Sequence, residues 1–146
     1  MANTSNPIIK TANGIVRLNA IVGLITSDSK VHGFDSKGHM RLYLDDVTST
    51  EEKERVRALV MKKIGFNRVL KTPCGNGLSV DIIDDIYINP NSQNLIISSI
   101  ADGRALLILK ADKYSDMELL VDEVQNAFMA LNEGKAAAVD WVAHTV

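Results

Sequence analysis

"IIKT" at residues 8–11 returns as "VLKT" at residues 69–72. The segments after these two stretches also match in order, with one extra residue in the second copy, and Gly38 corresponds to Gly103. Short apolar runs bounded by turn residues predict, in each copy, four strands followed by one helix. The sequence therefore predicts an α+β protein of two tandem β-meander-plus-helix repeats with antiparallel strands. The alternative is coincidence between two units that follow one binary pattern.

The match divides the chain into an N-terminal arm (1–7), repeat 1 (8–66), repeat 2 (67–133) and a C-terminal arm (134–146). A single unit of about 60 residues buries too little surface to be stable alone. We therefore expect the two repeats to share a core or to pair with pseudo-symmetry.

Two predicted strands differ in the pattern of their apolar residues. "MRLYLD" (40–45) alternates, with Met40, Leu42 and Leu44 on one face. "ALLILK" (105–110) is apolar on both faces, which predicts a central strand or one covered by another layer.

Both predicted helices carry signals at their ends. Ser49, with a glutamate three residues later, forms a capping box before the first helix, and Gly65 follows that helix as a C-cap. Ser115 forms the equivalent capping box before the second helix, and Gly134 ends it. The apolar stripes between these signals predict one buried face for each helix.

Composition limits the class of protein. The 146 residues are 46% hydrophobic and 23% charged, which is typical of a soluble globular protein. A net charge of −2 and few aromatic residues argue against nucleic acid as a partner. One cysteine allows no intrachain disulfide and suits a reducing compartment. No signal peptide or membrane span is recognised, so we expect a cytoplasmic protein with no membrane partner.

Residues that could carry chemistry are few. His32 and His39 lie seven apart, but a zinc site needs two further ligands. The acidic run "DIIDD" (81–85) is interpreted as a solvated strand edge, and the loop "PCGNG" (73–77) as a hairpin turn. We therefore predict no catalytic residue, no metal, no cofactor and no enzymatic activity.

Two arginines fall near equivalent turns of the repeats. Arg41 follows "GHM" and Arg104 follows "DG", and two such guanidinium groups can bracket a phosphate or another anion. Arg41 and Arg104 are therefore the candidate anion-binding residues.

The C-terminal arm is unusually apolar. Its candidate interface residues are Val139, Trp141, Val142 and Val146. Tryptophan often anchors protein interfaces, so the arm either docks on a neighbouring subunit or folds back on its own sheet. Docking on a neighbour predicts that removal of the arm after Lys135 abolishes the oligomer and leaves the fold intact.

The spaced pattern of a Thr-ending strand, a turn glycine, Leu and Ile, an Asp-Gly turn, an L-x-L strand and a helix resembles small phage virion accessory and bacterial flagellar-type modules. That resemblance implies a non-enzymatic structural subunit of a symmetric homo-oligomer, such as a virion component, with itself and other assembly subunits as partners. The alternative is a small oligomeric ligand-binding protein, such as a phage-type sponge for a nucleotide or a similar anion.

Overall fold

The computed structural model describes residues 8–11, 14–65 and 67–146, so the predicted arm 1–7 lies outside the described residues. The strands are β1 (Ile8–Thr11), β2 (Gly14–Arg17), β3 (Ile21–Ser27), β4 (Lys30–Asp35), β5 (Met40–Leu44), β6 (Val69–Lys71), β7 (Gly77–Ser79), β8 (Ile83–Ile88), β9 (Leu95–Ser99) and β10 (Ala105–Leu109). The helices are α1 (Thr50–Ile64), α2 (Met117–Asn132) and α3 (Trp141–His144). The predicted α+β class is confirmed, and the strands pair antiparallel.

The strands form three sheets. β1 and β2 form a hairpin, the large sheet has the order β5-β4-β3-β7-β6, and the small sheet has the order β10-β9-β8. The order hairpin, three-stranded meander, helix occurs twice along the chain, so each copy has five strands and not the predicted four. A short 3-10 turn, Leu18–Ala20 in the first copy and Val80–Ile82 in the second, divides the predicted second strand. The sheets do not follow the division into two copies, because the second hairpin pairs with β3 of the first meander through Gly23 and Leu78. A Cβ on Gly23 would lie 2.9 Å from Cδ2 of Leu78, so glycine permits this close pairing.

Two hydrophobic cores lie on opposite faces of the large sheet. Leu24 of β3 packs in the core that contains Val56 and Val60 of α1. The next residue, Ile25, packs in the core that contains Leu120 and Val124 of α2 together with the small sheet. Because successive side chains of a strand point to opposite faces, β3 contributes side chains to both cores.

The position of β10 corrects the expectation of a central strand. β10 pairs only with β9 and forms an edge of the small sheet. Both faces of β10 carry apolar side chains. Leu106 and Leu109 are buried, whereas Ile108 is 49% exposed on an open cleft. The strand is therefore apolar on both faces because it lines this cleft, and not because it is central in a sheet.

The alternation of β5 is also interrupted. Leu42 and Leu44 are buried as predicted, but Met40 is 51% exposed. A register shift between Gly33 and Phe34 of β4 places Met40 opposite Phe34. The bulge turns the first side chain of β5 out of the core, as such irregularities commonly do.

The ends of α1 agree with the predicted caps, and the start of α2 does not. Ser49 Oγ accepts a hydrogen bond from the backbone N–H of Glu52 at 3.1 Å, and Gly65 has φ 72°. The N-cap of α2 is Asp116, whose carboxylate accepts from the N–H groups of the next turn. Ser115, the predicted cap, instead donates to the carbonyl of His144.

Among the described residues, no helix is both long and apolar enough to cross a membrane.

Candidate functional site

A cleft of about 890 Å³ lies between β10 and the large sheet. We call it the inter-sheet cleft. Its apolar lining includes Ile25, Phe34, Leu106 and Leu109. Its other lining residues are Thr26, Ser27, Asp28, His32, Gly38, His39, Met40, Thr72, Pro73, Ser99, Asp102, Arg104, Ala105, Leu107, Ile108, Lys110, Lys113 and Tyr114. An apolar concavity of this size with a few polar groups is typical of a binding site.

A buried hydrogen bond joins the β4–β5 turn to β9 within the lining of the inter-sheet cleft. Ser99 Oγ donates to the carbonyl oxygen of Gly38 at 2.8 Å. Gly38 has φ 82°, and the carboxylate of Asp35 accepts from the N–H groups of Lys37 and His39 in the same turn. The β4–β5 turn is thus held against the end of β9.

The C-terminal segment forms hydrogen bonds beside other residues of the cleft lining. The N–H of Val146 donates to the carbonyl of Lys113 at 3.1 Å, and the indole N–H of Trp141 donates to the carbonyl of Lys71 at 3.0 Å. Lys113 lines the cleft, and Lys71 immediately precedes Thr72, which also lines it. The segment is therefore hydrogen-bonded at two places along the lining of the cleft.

A hydrogen-bonded pair fastens this segment to α2. His144 Nε2 lies 3.0 Å from Glu123 Oε1, and the backbone N–H of Asp140 donates to the other oxygen at 2.9 Å. The bond from His144, followed by the backbone bond from Asp140, lowers the pKa of Glu123 from its usual value of 4.5.

This pKa shift predicts a pH dependence of stability. Because the folded-state pKa of Glu123 lies below its unfolded value, its contribution is complete above pH 4.5 and is lost as pH falls through the folded pKa. We expect wild type to have a higher Tm than Glu123→Gln at pH 7, and the difference to disappear in acid. A Tm difference that stays constant from neutral to acidic pH would contradict this assignment.

The wall opposite β10 carries a histidine–methionine contact. His32 Nδ1 lies 3.2 Å from the Met40 sulfur, and the His32 ring lies 5.2 Å from the Tyr43 ring. Burial, and then the positive charge of Lys30, lower the pKa of His32 and favour its neutral imidazole. Sequence reasoning considered His32 and His39 but missed Met40, because alternation placed Met40 in the core.

The two candidate arginines are not brought together at one site. Arg104 lines the inter-sheet cleft, and Arg41 is not among the residues that line it. Each lies near a carboxylate of its own turn: Arg41 is 3.7 Å from Asp35 and Arg104 is 3.2 Å from Asp102. Both carboxylates compete with an external anion for these guanidinium groups.

The four candidate interface residues divide into two groups. Val139 is buried and Trp141 packs against the core formed with α2, so this part of the arm folds back on its own chain. Val142 and Val146 are 81% and 83% exposed. A subunit interface at the arm stays a prediction, and the exposed apolar surface for it comes mainly from these two valines.

The remaining candidate clusters show no metal centre in the described part of the chain. No group of three or more His, Cys, Asp or Glu side chains lies close enough there to hold a metal ion. Within "DIIDD", Asp81 pairs with Arg68 at 2.9 Å. Asp84 and Asp85 are exposed, in keeping with a solvated strand edge.

These features define an α+β protein with a half-open cleft between two antiparallel sheets. No family model matches the chain, and no curated protein matches it. A comparison with solved structures finds similarity to the LytTr DNA-binding domain of a methyl-accepting/DNA response regulator from Bacillus cereus. The identity is 16% and the TM-score 0.40, over 74% of this chain and 88% of that chain.

This comparison corrects the resemblance drawn from the sequence. The solved structure that matches is a DNA-binding domain and not a virion or flagellar module, so the assignment to those modules is wrong. The predicted role as a structural subunit of a virion depended on that resemblance and is therefore also wrong. Incorporation into a virion is likewise not supported. Because that structure is described as a DNA-binding domain, the expectation that nucleic acid is not a partner is no longer held, and DNA binding is not assigned to this chain. The likeness concerns part of the fold, and no residue role is carried over from it.

Proposed function

We propose that this chain is a non-enzymatic peptide-binding module, in which an extended segment of a partner protein enters the inter-sheet cleft and adds as a strand to β10. The observation that carries the proposal is that all of Ala105–Leu109 lines the cleft as one continuous wall. Strand addition to a sheet edge is a common mode of peptide recognition.

Two other sheet edges, β8 and β6, each accept a hydrogen bond from a side chain. The amide of Gln125 in α2 donates to the Ile86 carbonyl of β8 at 2.6 Å, and Trp141 donates to the Lys71 carbonyl of β6. For the backbone of Ala105–Leu109, the described residues supply no hydrogen bond from outside the small sheet. β10 therefore retains the backbone groups that an incoming strand needs.

The dimensions and chemistry of the inter-sheet cleft fit a short amphipathic strand. Five residues of extended chain span about 17 Å, the length of β10. Successive side chains of a strand point to opposite faces, so every second residue of the peptide faces the large sheet. Met40, which is 51% exposed, lines the cleft there above the largely buried Ile25 and Phe34, which favours a segment with alternating apolar residues.

The test uses a matched pair of surface substitutions. Ile108 on β10 is 49% exposed in the cleft, and Ile100 in the β9–β10 turn is 47% exposed outside its lining. Peptides are selected from a displayed random library on wild type, and their Kd is measured by fluorescence polarisation. We expect Ile108→Lys to weaken binding about tenfold or more, because a charge replaces apolar contact area. Ile100→Lys should stay within about twofold.

Hydrogen exchange then locates the bound peptide. Strand addition predicts slower amide exchange in Ala105–Leu109 when peptide is present, because backbone hydrogen bonds protect amides. Selected peptides that bind both variants equally, or that protect a different segment, would overturn the proposal, as would a selection that yields no binder.

A further inference from the structure

We propose that His32, Met40 and His39 form a binding site for a soft monovalent cation, Cu(I) or Ag(I), on the wall of the inter-sheet cleft opposite β10. The inference does not depend on peptide binding. It starts from the 3.2 Å separation between His32 Nδ1 and the Met40 sulfur.

This separation is close to that of two donors that share one metal ion. With metal–nitrogen and metal–sulfur bonds of about 2.0 and 2.3 Å, the trigonal angle of about 120° that three donors give places two of them about 3.7 Å apart. His32 Nδ1 and the Met40 sulfur lie 3.2 Å apart, so the two side chains must separate slightly to admit the ion.

The third donor comes from the same turn. His39 directly precedes Met40, lines the same cleft and is exposed. Its backbone N–H donates to the Asp35 carboxylate at 3.0 Å, which fixes the turn from which its imidazole projects. The three residues thus lie on one β-hairpin, with His32 in β4, His39 in the turn and Met40 at the start of β5.

The donor set selects the class of metal. Thioether sulfur and imidazole nitrogen suit Cu(I), whereas Mg²⁺ and Ca²⁺ prefer oxygen ligands. Zinc prefers thiolate, imidazole and carboxylate, and the described residues bring no three His, Cys, Asp or Glu side chains together. The sequence analysis predicted no metal site because it did not consider methionine sulfur. This sulfur supplies the missing donor.

The surroundings prepare His32 for coordination. The Tyr43 ring packs beside the imidazole, while Met40 is 51% exposed, so an ion can enter from the cleft.

The test is a Cu(I) titration of the full chain carrying Cys74→Ser, which removes its one thiol as a competing ligand. Anaerobic competition against bicinchoninate under ascorbate gives stoichiometry and Kd. We expect one Cu(I) per chain and a loss of affinity of about tenfold or more in both Met40→Leu and His32→Ala. Met129→Leu, which alters another exposed methionine, should leave the affinity within about twofold.

A second measurement identifies the sulfur directly. Ag(I) is diamagnetic, and binding should shift the ε-methyl NMR signal of Met40 while leaving that of Met129 in place. Met40→Leu keeps the apolar volume, so a folded variant with unchanged Cu(I) affinity would overturn the proposal. Equal losses in Met40→Leu and Met129→Leu would overturn it as well.

Discussion

Gly38→Ala is expected to lower the free energy of unfolding by about 2–4 kcal/mol, from backbone strain and the loss of a buried hydrogen bond. Gly38 has φ 82°, a conformation that L side chains rarely adopt. An added Cβ would also overlap Ser99 Oγ, which donates to the Gly38 carbonyl between the sheets. Chemical denaturation with urea measures the change.

Gly103→Ala is the matched control. Gly103 has φ 75°, and a Cβ there meets no atom within 4 Å, so only the backbone cost of about 1 kcal/mol applies. Ser99→Ala, which removes the hydrogen bond without backbone strain, should fall between the two substitutions. Equal destabilisation by Gly38→Ala and Gly103→Ala would mean that the tie between the sheets contributes nothing.

Removal of residues 136–146 is expected to lower the free energy of unfolding by about 3–5 kcal/mol, from lost apolar burial and hydrogen bonds. The segment buries Val139, donates from Trp141 to Lys71 and joins His144 to Glu123. The docked position reverses the expectation that truncation after Lys135 leaves the fold intact. Urea denaturation together with sedimentation measures stability and association separately.

The control for truncation changes only the exposed part of the segment. Val142 and Val146 are more than four-fifths exposed, so Val142→Ala with Val146→Ala should change stability by less than about 0.5 kcal/mol. Stability that survives truncation, with a loss of self-association, would show that the segment acts between subunits. Loss of stability without a change in association would support docking within the chain.

The C-terminal segment also connects stability with the inter-sheet cleft. Its contacts to Lys71 and Lys113 lie directly beside cleft residues. Truncation should therefore weaken peptide binding more than Ile100→Lys does. The His32–Met40 contact lies on β4 and β5, which the segment's hydrogen bonds to Lys71 and Lys113 do not reach, so Cu(I) binding is expected to depend less on the segment.

Local signals in the sequence determined the secondary structure. Alternation, turn residues and caps indicated the two long helices and most of the strands, because each signal depends on residues within a few positions of one another. They missed the 3-10 turns that divide the predicted second strand of each copy. Ser49 and Gly65 are the clearest cases, since both occupy the predicted cap positions. The resemblance to virion and flagellar modules had no comparable support, because it matched the pattern of a fold and no chemical group.

Only the tertiary structure decided which strands became edges and which equivalent residues differ. Gly38 and Gly103 match in sequence, but their contacts with Ser99 differ. The Gly38 carbonyl accepts from Ser99 Oγ because the β4–β5 turn meets the end of β9, whereas the Gly103 N–H donates to the Ser99 carbonyl within its own turn. An apolar strand such as β10 looks central by sequence, but pairing is a contact between distant segments that local pattern does not encode. The inter-sheet cleft and the approach of Met40 to His32 follow from that pairing and from one bulge in register.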